Sequence, residues 1–268
     1  MSSKPAHVFL WTIPRSASTA FTRSMEGIPN VAIYLEPYGS AEHFGPEGRL
    51  IPQNTPPTET EYTFDKVKLM LEGDALTNKY VFVKDMAYGV HGRYDKIAKG
   101  FKHSFLIRHP AKTFSSYYKM MKNGTGANDV DSDFTNWLPE GLAYKELSDL
   151  YIHIEKLEGQ KPVVVNADDL VENPKEVLMK YCDAVGLPYS DELLSWDRKP
   201  KVKWNMAQAI SDLDPIFNWF SNSLTAGGFK KSLSKPLPVL KDLPKTVQEC
   251  VEKSMPYYDK LNSFCIRP

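Results

Sequence analysis

The sequence carries no excess charge of either sign, with 33 Lys and Arg against 33 Asp and Glu in 268 residues. Without an overall positive field the chain cannot hold a nucleic-acid backbone through bulk electrostatics, so any anion site must be local. Long apolar runs are missing too. A membrane-crossing helix needs about 20 consecutive apolar residues, and none occur; the opening MSSKPAHVFLW has no apolar segment of signal-peptide length. A cytoplasmic protein without a membrane partner is expected. Cysteine is scarce: Cys182, Cys250 and Cys265 are an odd number at wide spacings, which suits neither a disulfide framework nor a zinc site. What remains is an ordinary globular composition, 42% hydrophobic and 25% charged, enough apolar material for one sizeable core. A single domain over residues 1–268 is expected, and no internal repeat interrupts it.

The order of elements is more informative. HVFLWTI, residues 7–13, is a continuous β-branched and aromatic run, the pattern of a strand covered on both faces. A polar loop, PRSAS, and a helix ending near Gly27 follow it. VAIYLEP reads as a second strand stopped by Pro37, and the stretch from Gly45 to Pro57, with Pro46, Pro52, Pro56 and Pro57, as a loop or lid. YVFVKD (80–85), HSFLIR (103–108) and KPVVVNADDL supply three more strands. Helices are expected after Pro110, between Asp133 and Glu158, and from Asn173-Pro174 to a Gly186 cap. The last eighty residues show few clear strands. Strands alternating with helices predict an α/β fold, a doubly wound and mainly parallel sheet whose ligand site lies outside the carboxyl ends of the strands.

Two segments at those ends suit anions. In Pro14-Arg15-Ser16-Ala17-Ser18-Thr19-Ala20 a cation, small residues and hydroxyls stand at a helix N-terminus, where free N–H groups and the helix dipole favour negative charge. The loop lacks the G-x-x-x-x-G-K-[ST] spacing of nucleotide triphosphatases, so a magnesium-bound triphosphate is a poor match. The plainer alternative is a capping turn with a solvated arginine. In RHPAKTFSSYY, Arg108 ends a strand and Ser116 lies two turns into the next helix, a fork and a hydroxyl fit for a separate phosphate.

These segments resemble the PAPS-dependent sulfotransferase family (PAPS, 3′-phosphoadenosine-5′-phosphosulfate). In that family a K/R-S-G-T-type loop holds the 5′-phosphosulfate and an R-x-P-x-x-x-x-x-S segment holds the 3′-phosphate. Arg15 to Thr19 and Arg108 to Ser116 match them, and VVVNADDLVENPKEVLMKYCDAVGLP resembles the family's Y-E-D-L-x-x-x-P strand and helix. Together the motifs span roughly residues 7–190 in the family's order. The resemblance implies a P-loop sulfotransferase-like fold, PAPS as cofactor with 3′,5′-adenosine bisphosphate as product, and no metal. A small-molecule acceptor is implied as partner, with a homodimer left open.

The departures matter as much. Ala17 stands where the loop usually has glycine, and Ala167 where many members place a tyrosine against the adenine. Trp11 or Phe229 could take the tyrosine's place, and Gly227, Gly228, Phe229 and Lys230 resemble the family's late nucleotide-closing segment. By the same resemblance Arg15 and Thr19 face the leaving phosphate, with Lys84 near the bridging oxygen. The family's usual K-T-H reads Lys84-Asp85-Met86, so its histidine is absent. Glu36, just after the second strand, is the first choice of general base if burial lifts its pKa, ahead of Asp85, His43 and His91. The bland alternative pairs Glu36 with an arginine such as Arg23. His43, Tyr88 and His91 are expected to border the acceptor, and Tyr34, Tyr38, Trp137, Trp204 and Trp219 are further aromatic candidates for its walls. The competing reading from another class is a nucleotide-binding interaction protein that keeps the fold and has lost turnover.

Overall fold

A computed structural model describes residues 4–50, 58–125, 134–136, 138–159, 161–220, 226–229 and 236–268. Five strands, β1 (Ala6–Thr12), β2 (Val31–Leu35), β3 (Tyr80–Met86), β4 (Lys102–Ile107) and β5 (Val163–Asn166), form one sheet in the order β2-β3-β1-β4-β5. Every pairing is parallel. In the central strand Phe9 lies opposite Val83 on one side and His103 on the other.

The strand sequences explain this placement. Successive side chains point to opposite faces, and both sets are apolar: Phe9, Trp11 and Val83 join one core, while Val8, Leu10 and Phe82 join another. Helices α3 (Phe64–Thr77), α5 (Tyr144–Glu158) and α9 (Lys245–Asn262) contribute to the first core, and α1 (Ser18–Met25) and α7 (Pro174–Val185) to the second. Each fully buried Leu, Val or Phe contributes about 1.5–3 kcal/mol, so the doubly covered sheet is the rigid platform of the molecule. The helix between Pro174 and Gly186 ends as its sequence predicts: Gly186 adopts φ 80° and its N–H closes on Cys182 O at 2.8 Å.

The structure refines the reading of three regions. Within the region from Asp133 to Glu158, whose residues Asp133 and Trp137 lie outside those described, a helix runs from Tyr144 to Glu158, and Leu142 and Ala143 just before it take left-handed φ of 55° and 68°. Pro37 does more than stop β2: it opens α2 (Pro37–Phe44), since proline lacks only an N–H that the first helical turn does not use. The late chain, poor in strands as expected, fastens the sheet at both edges. Asn205 bridges to Tyr34 beside β2, and Cys265 to Val164 on β5. Between those bridges runs α8 (Gln208–Phe217). Among the described residues no helix is long and apolar enough to cross a membrane.

Candidate active site

A cleft of about 1000 Å³ opens beyond the carboxyl ends of the strands. Its first wall is the turn after β1. Arg15 and Ala17 both adopt left-handed backbone, φ 59° and 65°, a conformation that costs a residue with a Cβ roughly 1 kcal/mol and that glycine adopts freely. Ala17 therefore holds a backbone conformation suited to glycine, at some strain. The turn is braced from behind: the buried Ser16 hydroxyl donates to Ile13 O at 2.9 Å and meets the Thr12 hydroxyl. Ser16 consequently turns its side chain away from the cleft, whereas Arg15, Ala17, Ser18, Thr19 and Ala20 line it. Among the described residues no side chain caps α1, which leaves its first-turn N–H groups open to a ligand.

The two anion segments, read in the sequence as separate pockets, adjoin one another. Arg108 Nη1 donates to Arg15 O at 2.9 Å, and Arg15 Nε donates to Ser116 Oγ at 3.2 Å. Arg15 also reaches Trp219 O, at 3.5 Å. Burial lowers the pKa of both arginines; Arg108 lowers that of Arg15 further, while Asp168 opposes the shift of Arg108. Among the described residues neither guanidinium forms an ion pair with a carboxylate. Two like charges held together at reduced solvation favour an anion between them.

The opposite wall lies over β2 and β3. Lys84, buried on β3, forms an ion pair with Glu36 Oε1, and 21% of the Glu36 side chain stays exposed. Glu36 sits at φ 53°, its N–H bound to Lys84 O at 2.7 Å, which fixes the two residues together through backbone as well as side chain. Arg23, the alternative partner, is elsewhere: it is fully buried and paired with Glu26. Asp85 is committed to structure. Its carboxylate accepts from Tyr38 N (2.7 Å), Gly39 N (3.0 Å) and Met86 N (2.7 Å), pinning the start of α2. Burial nonetheless pushes its pKa up to about 7. His43 and Tyr88 line the cleft as a pair, Nε2 to Oη 3.3 Å, and burial pushes the imidazole down to about 4.

Other expected residues fall outside. His91 is absent from the lining: its ring faces Tyr94 and its carbonyl accepts from Arg49 at 2.6 Å. Trp11 is wholly buried, stacked on Phe9 at 4.6 Å, so it cannot face a base. Gly227, Gly228 and Phe229 also miss the lining, although the neighbouring Ala226 belongs to it; a Cβ on Gly228 would meet Leu194 O at 2.9 Å, and Phe229 packs on Trp196. Lys230 and Trp137 lie outside the described residues. Of the aromatic candidates Trp219 lines the cleft, while Tyr34 bonds Asp74, Tyr38 is core and Trp204 donates to Glu26 at 2.6 Å.

Two contributions escaped the sequence reading. Helix α8 roofs the cleft with Ile210, Leu213, Ile216 and Phe217, packing on α4 (Pro110–Thr125) and α2. Its apolar spacing of three and four residues was the available signal. The other is Lys112, which lines the cleft and pairs with Asp168 at 2.9 Å.

A family model described as "Sulfotransferase domain" matches residues 6–264. Among curated relatives, "Branched-chain-amino-acid aminotransferase-like protein 1" of Arabidopsis thaliana is 24% identical over 97% of this chain and 42% of its own length. "Sulfotransferase ppzF" of Metarhizium majus is 30% identical over 35% of this chain and 30% of its own. The chain thus spans less than half the length of either relative. Two solved structures share the fold: the sulfotransferase domain of the curacin biosynthetic pathway (TM-score 0.54, 18% identity, 94% of this chain and 98% of that one) and that of the Synechococcus olefin synthase (0.52, 16%, 94% and 95%).

Proposed function

The chain belongs to the sulfotransferase-domain family, and from that premise we propose that it moves the sulfuryl group of PAPS to a hydroxyl or amine of a small-molecule acceptor. One observation carries the reading: a single cleft places the Arg15–Arg108–Ser116 cluster and the Glu36–Lys84 pair on facing walls. The residues fit the nucleotide. Two partly buried guanidiniums without carboxylate partners among the described residues suit its phosphates, and small side chains at Ala20 and Ala167 leave room beside them. When bound, PAPS supplies a sulfuryl group that passes to the acceptor atom as the adenosine bisphosphate departs.

The chain's own residues do the rest. Arg15, Thr19 and the first-turn N–H groups of α1 hold the 5′ phosphate and offset the charge that grows on it; Arg108 and Ser116 hold the 3′ phosphate. Lys84 keeps one Glu36 oxygen, and Oε2, which takes no hydrogen bond among the described residues, receives the acceptor's proton. Phe44, Met86, Tyr88, Tyr117 and Leu138 line the same cleft as Glu36 with largely apolar surface, and α8 adds Ile210, Leu213, Ile216 and Phe217 to it. A neutral, largely apolar acceptor suits such walls.

The test is sulfate transfer from labelled PAPS to a panel of neutral hydroxyl and amine compounds, with Arg15→Ala as the control variant. Transfer by the native protein that the variant loses supports the reading. Nucleotide binding with no transfer to any acceptor would identify a binding protein on the same fold.

A further inference from the structure

Lys112 and Asp168 meet at the wall of the cleft that holds Arg108, one on the first turn of α4, the other on the first turn of α6 (Ala167–Glu172). Both line the cleft with Arg108, and their side chains are only 10% and 26% exposed at an Nζ–Oδ2 distance of 2.9 Å. Asp168 also bears on Arg108, whose positive charge it favours. Among the described residues it is thus a carboxylate in a corner that also presents Arg15, Arg108 and Lys112. A carboxylate holding a lysine beside an arginine that faces a ligand space does what a phosphate dianion would do better, since the phosphate brings more charge and more acceptor oxygens.

Resting on the nucleotide reading above, we propose that Lys112 is a further ligand of the 3′-phosphate and that Asp168 is the counter-anion it exchanges for that group. Asp168 keeps Lys112 extended into the corner and charge-balanced in the free protein. On binding, the lysine turns to the phosphate, so a nucleotide lacking the 3′ anion leaves the pair closed and gains nothing from it. The pair thereby sets selectivity for 3′-phosphorylated nucleotides over their plain counterparts.

Isothermal titration of the full chain with 3′,5′-adenosine bisphosphate and with adenosine 5′-phosphate tests this, on native protein, Lys112→Met, Lys112→Arg and Asp168→Asn, with thermal melting to confirm folding. Lys112→Met is expected to weaken the bisphosphate about tenfold and the monophosphate less than about twofold, Lys112→Arg to keep most of the affinity, and Asp168→Asn to tighten the bisphosphate several-fold. A merely structural pair gives a different pattern. Equal losses for both nucleotides in Lys112→Met, or a folded Asp168→Asn that binds the bisphosphate more weakly, overturns the proposal. Native protein that takes up neither nucleotide would instead overturn the functional reading on which it rests.

Discussion

The cleft has two halves built on different principles. Over β1, β4 and β5 its walls are cations and backbone turns: Arg15 and Ala17 in left-handed conformations, Arg108 bonded to the Arg15 carbonyl, Lys112 tied to Asp168. Over β2 and β3 they are largely apolar and include the ion pair Lys84–Glu36 and the polar couple of His43 and Tyr88. Phosphates have a fixed shape and charge, so their recognition is concentrated in short contiguous segments next to strand ends. An acceptor wall has no such template. The apolar half of this cleft is drawn from residues near 36–44, 84–88, 117–121 and 210–217, which only the fold brings together.

If the halves divide labour in this way, damage to one should leave the other working. The largest separation is expected from Glu36→Gln: turnover falls about a hundredfold or more while nucleotide affinity stays within about twofold, measured by transfer from labelled PAPS and by calorimetry. Unchanged turnover would remove Glu36 as the base. Arg108→Ala should do the converse, weakening the bisphosphate roughly tenfold to a hundredfold and adenosine 5′-phosphate far less, because only the former carries the 3′ anion. Equal losses would mean that Arg108 serves the loop alone, through its bond to Arg15 O.

A pH experiment probes the acceptor half. Burial holds the folded-state pKa of His43 down to about 4, below the value of about 6.5 in an unfolded chain. Between those values the unfolded chain binds a proton that the folded chain refuses, so the contribution of His43 is present above pH 6.5 and lost as pH falls toward 4. Asp85, raised to about 7 by burial, acts in the opposite sense: it favours the folded state as pH falls, so the comparison must be made against a variant. In urea unfolding at pH 7 and pH 5, His43→Gln should lose less stability on acidification than the native protein; parallel declines would contradict this. The smallest effect is expected at Ala17→Gly. Relief of left-handed strain and the added freedom of the unfolded chain oppose each other, leaving a net change of no more than about 1 kcal/mol, checked by the same method.

Much of the platform was legible in the sequence. The five strands announce themselves as apolar runs because both faces of a parallel sheet are buried, and Gly186 and Pro174 mark a helix by backbone rules that hold without tertiary context. Arg15 and Arg108 were found for the same reason, each standing at a strand end. What stayed hidden depends on contact. Asp85 looks like a candidate base until three amide N–H groups are seen to surround it. Trp11 resembles a stacking partner until strand alternation turns it into the core, and Ser16 resembles a ligand until its hydroxyl is found bracing the turn. The identity of Glu36's partner, Lys84 rather than Arg23, follows from β2 lying beside β3, an adjacency no local pattern reveals.

The central claim is that Arg15 and Arg108, adjoining at the carboxyl end of the sheet, grip both phosphates of one bisphosphorylated adenosine. Calorimetry of the pure native protein tests it most directly. The account predicts one site that takes 3′,5′-adenosine bisphosphate at least about tenfold more tightly than adenosine 5′-phosphate. No heat of binding for the bisphosphate, or equal affinity for the two nucleotides, would contradict it.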